Sequence, residues 1–125
     1  MSQYIDAYVF PLKKIDVETY QNVAGEVAKI WKEHGALAYQ EYVGDDLHLA
    51  GTRSFVDTLE ISDEEVVVLG WVVFPSKEVR NLANQRVPKD ERMHTILSPL
   101  TLKDRVIFDA SKMLYGGFRS LISKD

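Results

Sequence analysis

No cysteine occurs among the 125 residues, which excludes disulfides, thiolate metal ligands and cysteine nucleophiles. Long hydrophobic runs are missing as well. The longest, Val66 to Pro75, spans ten residues, and a membrane-spanning helix needs about twenty. Met1 to Asp6 carries neither the basic start nor the apolar stretch of a secretory signal, so a cytoplasmic location without membrane contact is expected. Positive charge is in short supply: 15 basic residues face 19 acidic ones, for a net charge of −4. That balance argues against a nucleic-acid partner, which would need a basic surface for the phosphates. The bases between 77 and 92 are interleaved with Glu78, Asp90 and Glu91 and read as a solvated helix face. Nucleophile elbows, phosphate loops and dinucleotide fingerprints are absent. The sole Gly-Gly pair, Gly116-Gly117, runs into Phe118 within an extended segment.

What is present is globular. Hydrophobic residues make up 46% and charged residues 27%, and thirteen side chains are aromatic (6 Tyr, 5 Phe, 2 Trp). One domain over residues 1–125 is expected. Residues 4–10 are aromatic and β-branched and predict a strand ending at Pro11. Asp16 is placed to cap a helix whose stripe is Tyr20, Val23, Ala24, Val27, Ile30, Trp31 and His34, with Gly35 to stop it. Ala36 to Val43 predicts a second strand. Val66 to Phe74 predicts a third, apolar on both faces and therefore central. Ser76 then caps a helix with the stripe Val79, Leu82, Ala83 and Val87, broken by Pro88 and continued through Met93, Ile96 and Leu97. Residues 98–111 read as a loop anchored by Val106, Ile107 and Phe108. Met113 to Ile122 reads as the last strand, where Gly116-Gly117 marks a bulge or a close approach.

The order β-α-β, link, β-α-β predicts an α+β, ferredoxin-like fold: a four-stranded antiparallel sheet with its helices on one face. The other face is expected to be apolar, through the third strand and through Tyr8, Phe10, Met113, Tyr115 and Leu121. Such a surface needs a cover. A homodimer packed sheet to sheet, with a lined interior between the sheets, supplies it.

The run Trp31-Lys32-Glu33-His34-Gly35-Ala36-Leu37, then Tyr39-Gln40-Glu41 and Gly44-Asp45-Asp46, resembles the small bacterial YbaA-like proteins of unknown function. The resemblance continues through Ser54-Phe55, Trp71, Asn84 and Tyr115-Gly116-Gly117-Phe118 and covers essentially the whole chain. It implies a dimeric α+β barrel and no particular activity. Proteins with that architecture include cofactor-independent monooxygenases, isomerases and haem-degrading enzymes. The haem-degrading pattern has an Asn on the first strand and a His on the second helix. This chain has neither, so no cofactor is expected.

The candidate chemistry is sparse. His34 ends the first helix near the second strand, where Glu41 would orient it as a general base; the plainer reading is a histidine favoured by the helix C-terminus. Tyr8, Glu41, Trp71 and Arg119 are candidate pocket residues if they share one sheet face, with a Glu41–Arg119 ion pair as one arrangement. Gly44-Asp45-Asp46-Leu47-His48 lacks the regular spacing of a cation loop and reads as a capped turn, so no metal is expected. Three functions remain open. The first is a small, largely apolar ligand between the sheets, the second a cofactor-independent oxygenase or isomerase using His34, and the third a structural dimer with a filled interior.

Overall fold

Tyr4–Lys13 forms strand β1, Val17–Glu33 helix α1 and Ala38–Val43 strand β2. A short helix α2, Phe55–Leu59, leads to strand β3, Glu65–Phe74; helices α3, Lys77–Arg86, and α4, Glu91–Leu97, precede strand β4, Leu114–Arg119. These elements come from a computed structural model that describes residues 2–124. The sheet order is β2-β3-β1-β4 with every neighbouring pair antiparallel, which is the expected ferredoxin-like plan.

Local chemistry accounts for most of the elements. In α1, Val23, Val27 and Ile30 are buried at helical spacing, each contributing about 1.5–3 kcal/mol by leaving water. The helix stops at Gly35, whose φ of +111° suits a residue without Cβ. Ser76 caps α3 by accepting the Val79 N–H at 3.2 Å. Ser54 does the same for α2 through Val56 at 3.1 Å. At five residues, α2 is too short to leave a periodicity in the sequence.

Several expectations are corrected. The first strand does not end at Pro11 but runs to Lys13. Strand β4 pairs only with Tyr4–Val9, so Pro11 lies where β1 has no neighbour on that side to miss its N–H. Asp16 precedes α1 but makes no cap. Its backbone is helical rather than extended, and its carboxylate accepts both arms of the Arg105 guanidinium, one at 2.7 Å. That pair ties the 98–111 segment to the β1–α1 corner. Of the three anchors expected in that segment, Ile107 is buried and Phe108 joins the core, whereas Val106 is exposed. Leu82 is likewise exposed, because Val79 and Ala83 are the α3 residues that reach the sheet. The last strand is shorter than expected. Gly116-Gly117 pairs with Ala7 and Asp6 without a bulge, and a Cβ on Gly117 would collide with the Tyr4 hydroxyl and the Arg80 guanidinium.

The membership of the outer face also changes. Tyr8 and Phe10 pack on the helix side, as do Tyr115, opposite Tyr8, and Met113. Leu121 follows the strand and is exposed. The outward alternation is instead Ile5, Ala7 and Val9 on β1, Leu69, Trp71 and Val73 on β3, and Leu114 and Phe118 on β4. It is still apolar, with Leu114 and Phe118 more than half exposed at 52% and 54%.

The Arg105 bonds hold the Asp16 carboxyl below the usual carboxylate range. Bonds from Arg92, and then from His34, do the same for Asp90. A depressed folded pKa contributes stability above the unfolded value, and that contribution is lost as the pH falls through the folded one. Thermal denaturation is therefore expected to show a midpoint that drops once the pH goes below about 4. In Asp16→Asn that drop should be shallower, from a lower plateau at neutral pH.

Candidate functional site

A largely apolar cavity of about 370 Å³ lies on the helix-covered side of the sheet and not on the outer face. Its floor is Tyr8 and Phe10 of β1, Tyr39 and Glu41 of β2 and Val72 of β3. Helix α1 supplies Tyr20, Ala24, Val27 and Trp31, while Leu100, Phe108 and Met113 close the side toward β4. The lining is chiefly aromatic and aliphatic, as in most small-molecule sites.

Two polar clusters interrupt it. At one end the Glu41 carboxylate accepts three phenolic hydroxyls: Tyr8 at 2.5 Å and Tyr39 at 2.8 Å on Oε2, and Tyr20 at 2.7 Å on Oε1. Burial first, then the negative surroundings of Glu41 and the neighbouring phenols, pushes these three hydroxyls well above the usual tyrosine range. They remain protonated and act as donors. At the other end Asp6, only 5% exposed, accepts Arg80 Nε at 2.9 Å and the Tyr115 hydroxyl at 2.7 Å. Asn84 of α3 lines the cavity beside them.

Backbone register assembles the first cluster. Gly70 of β3 is the partner of Tyr8 on one side and of Glu41 on the other. A Cβ at Gly70 would stand 2.6 Å from the Tyr8 ring, closer than real Cβ contacts allow. The missing side chain lets the ring lie across β3 and reach the carboxylate on the strand beyond. Tyr39 shares that face of β2 because it sits two residues from Glu41.

Of the four pocket residues expected from the sequence, Tyr8 and Glu41 meet. Trp71 does not join them. It pairs with Ala7 and Gln40 on the outer face, where Nε1 donates to Gln40 Oε1 at 3.0 Å and the ring lies 5.1 Å from that of Tyr42. Arg119 pairs with Tyr4 at the far end of β4, and a Glu41–Arg119 ion pair is impossible because β2 and β4 are opposite edges of the sheet. His34 is oriented by Asp90 rather than Glu41, with Nε2 3.2 Å from Oδ2, and it stands outside the cavity. Asp90 also accepts Arg92 Nη2 at 2.8 Å, and Arg92 reaches Glu33 at 2.7 Å, so the group clamps the end of α1 to the start of α4. Tyr20, Tyr39, Asp6 and Gly70 were not expected as pocket residues, although Tyr20 was expected in the α1 stripe. The Tyr39-x-Glu41 spacing was a visible sign for one of them; Asp6 and Gly70 depend on strand register, and Tyr20 on how α1 packs against the sheet.

Among the described residues no three His, Asp or Glu converge as metal ligands, and no helix is long and apolar enough to cross a membrane.

An antiparallel β2-β3-β1-β4 sheet, covered by helices on one face with an aromatic pocket beneath them, places the protein among ferredoxin-like α+β folds. Solved structures agree. A dimeric ferredoxin-like protein from an uncultured marine organism superposes with a TM-score of 0.56 at 11% identity, covering 100% of this chain and 99% of that one. A mutant of SnoaB, a cofactor-independent oxygenase from Streptomyces nogalater, gives 0.56 at 11% identity, covering 97% of this chain and 95% of that one. At such identities the likeness concerns the fold. Residues 3–110 match the family described as "Protein of unknown function (DUF1428)", and the chain belongs to that family. It is 32% identical over 122 residues to the uncharacterized protein YbaA of Escherichia coli (strain K12), covering 98% of this chain and 99% of YbaA.

Proposed function

We propose that the protein is a homodimer in which each subunit binds a small, largely apolar, aromatic molecule beneath its helices. The observation that carries the ligand half of this reading is the cavity of about 370 Å³ itself. A core serving stability alone would close such a space, since each unfilled methylene volume costs contact energy. This reading puts the ligand on the face of the sheet opposite the inter-sheet space anticipated in the sequence. The test is calorimetric titration of the full chain with indole. Saturable binding is expected, weakened by at least about tenfold in Ala24→Phe, whose ring would occupy the space. Binding unchanged in that variant would remove the pocket from consideration.

What supports the dimer is the apolar outer face together with the dimeric description of a structural neighbour. Phe118→Glu and Leu114→Glu change side chains already exposed in one subunit, so folding should survive. Light scattering is expected to show a dimer for the wild type and a monomer for the double variant. A wild-type monomer at micromolar concentration would overturn this half of the reading.

A second reading is enzymatic, in keeping with the cofactor-independent oxygenase that shares the fold. One observation favours it: a carboxylate and three phenols form a hydrogen-bonded cluster at the cavity wall, where a proton can be moved. In that reading Glu41 takes the role expected of His34. Turnover in a screen of phenolic and quinone-like aromatics would then be abolished by Glu41→Gln and spared by His34→Ala.

A further inference from the structure

Resting on that pocket reading, we infer that the ligand carries a cationic nitrogen, an ammonium-type head, which seats at Glu41 while its apolar body fills the cavity. The two carboxylates of the cavity differ in one respect. Asp6 is paired with the Arg80 guanidinium at 2.9 Å, so that end is electrically balanced. Among the described residues no basic side chain forms an ion pair with Glu41. Its partners are three neutral phenols, which stabilise the charge through their dipoles without cancelling it. A half-buried, uncompensated negative charge in a low-dielectric wall attracts a cation more strongly than one in water would.

Hydrogen-bond capacity points the same way. Each of Tyr8, Tyr20 and Tyr39 spends its one O–H on Glu41, so what their oxygens have left is lone pairs. Glu41 itself has only acceptor sites. A ligand end placed here must therefore donate. A carboxylate or phosphate would meet acceptors and a like charge, and a neutral carbonyl would find no donor. An alkylammonium offers up to three N–H donors and a full positive charge. The rings of Tyr8, Phe10, Tyr20 and Phe108 around it add the cation–π attraction that aromatic linings provide. Apolar length beyond the head is accommodated by Val27, Leu100 and Met113.

Three indoles of similar size separate the possibilities: tryptamine, tryptophol and indole-3-acetate, with cationic, neutral and anionic heads. Each is titrated calorimetrically into the full-length wild type at neutral pH. Tryptamine is expected to bind about tenfold more tightly than tryptophol, and indole-3-acetate more weakly than either. Glu41→Gln should bring tryptamine to within about twofold of tryptophol. Tyr20→Phe removes a donor and keeps the charge, so it should retain the preference for the amine. The wild-type series needs no variant and decides the matter even if Glu41→Gln folds poorly. Indole-3-acetate binding as tightly as tryptamine, or a preference that survives Glu41→Gln, overturns the charge assignment. In both of those cases tryptophol binding leaves the pocket reading standing. No binding by any of the three overturns both.

Discussion

Gly70→Val is expected to cost roughly 3–5 kcal/mol of folding stability and to dismantle the candidate site at the same time. The new Cβ would lie 2.6 Å from the Tyr8 ring, in the middle of a central strand where the backbone cannot yield. The ring must leave, and with it goes the 2.5 Å bond to Glu41. Small-to-large changes in a packed interior cost about 1–3 kcal/mol, and a lost hydrogen bond to a charged group adds about 1.5–3. The better strand propensity of valine returns at most about 1 kcal/mol. Urea denaturation of Gly70→Val, Tyr8→Ala and the double variant measures the coupling. The double variant should cost clearly less than the sum of the two single variants, because the clash partner is gone. A strictly additive result would mean that the glycine serves something other than the tyrosine.

The next largest effect is expected for Arg80→Ala, at about 3–5 kcal/mol. Asp6 is nearly inaccessible, and removing the guanidinium leaves its charge with the Tyr115 hydroxyl as its one remaining side-chain donor. The same guanidinium lies over the Tyr4 ring, 4.8 Å from its centroid, so packing is lost along with charge. Adding Asp6→Asn should restore part of the loss, since a neutral amide tolerates the site better than an orphaned carboxylate. If Arg80→Ala alone costs less than about 1 kcal/mol, the pair is a surface contact and Asp6 finds other solvation.

These expectations rest on residues with very different visibility in the sequence. The helix stripe Val23, Val27, Ile30, the Gly35 stop and the Ser76 cap are local, so the order of the strands and the longer helices could be read directly, the five-residue α2 apart. The pocket partners could not. In Tyr4 to Phe10 one alternation holds Tyr4, Asp6, Tyr8 and Phe10, the other Ile5, Ala7 and Val9, and both satisfy a buried strand. Which alternation turns toward the helices is decided by Glu41 across β3 and by Arg80 on α3, partners 33 and 74 residues away. The assignment of Tyr8 and Phe10 to the outer face failed for that reason. So did the grouping of Trp71 with Glu41: Trp71 pairs with Gln40, one residue before Glu41, and consecutive residues of a strand face opposite ways. His34 meets Asp90 at the start of α4, not Glu41, the carboxylate that one of its two readings had named.

Without cysteine, thiolate and disulfide chemistry is closed to this chain. Sequence alone determined the βαββαβ order and the surplus of apolar strand residues, because periodicity, caps and turn residues act over a few positions. Tertiary structure alone decided where the pocket lies, which face is outermost and why Gly70 must have no side chain. Those properties belong to strand register. A one-residue change of register exchanges the two faces while leaving composition and local propensity as they were.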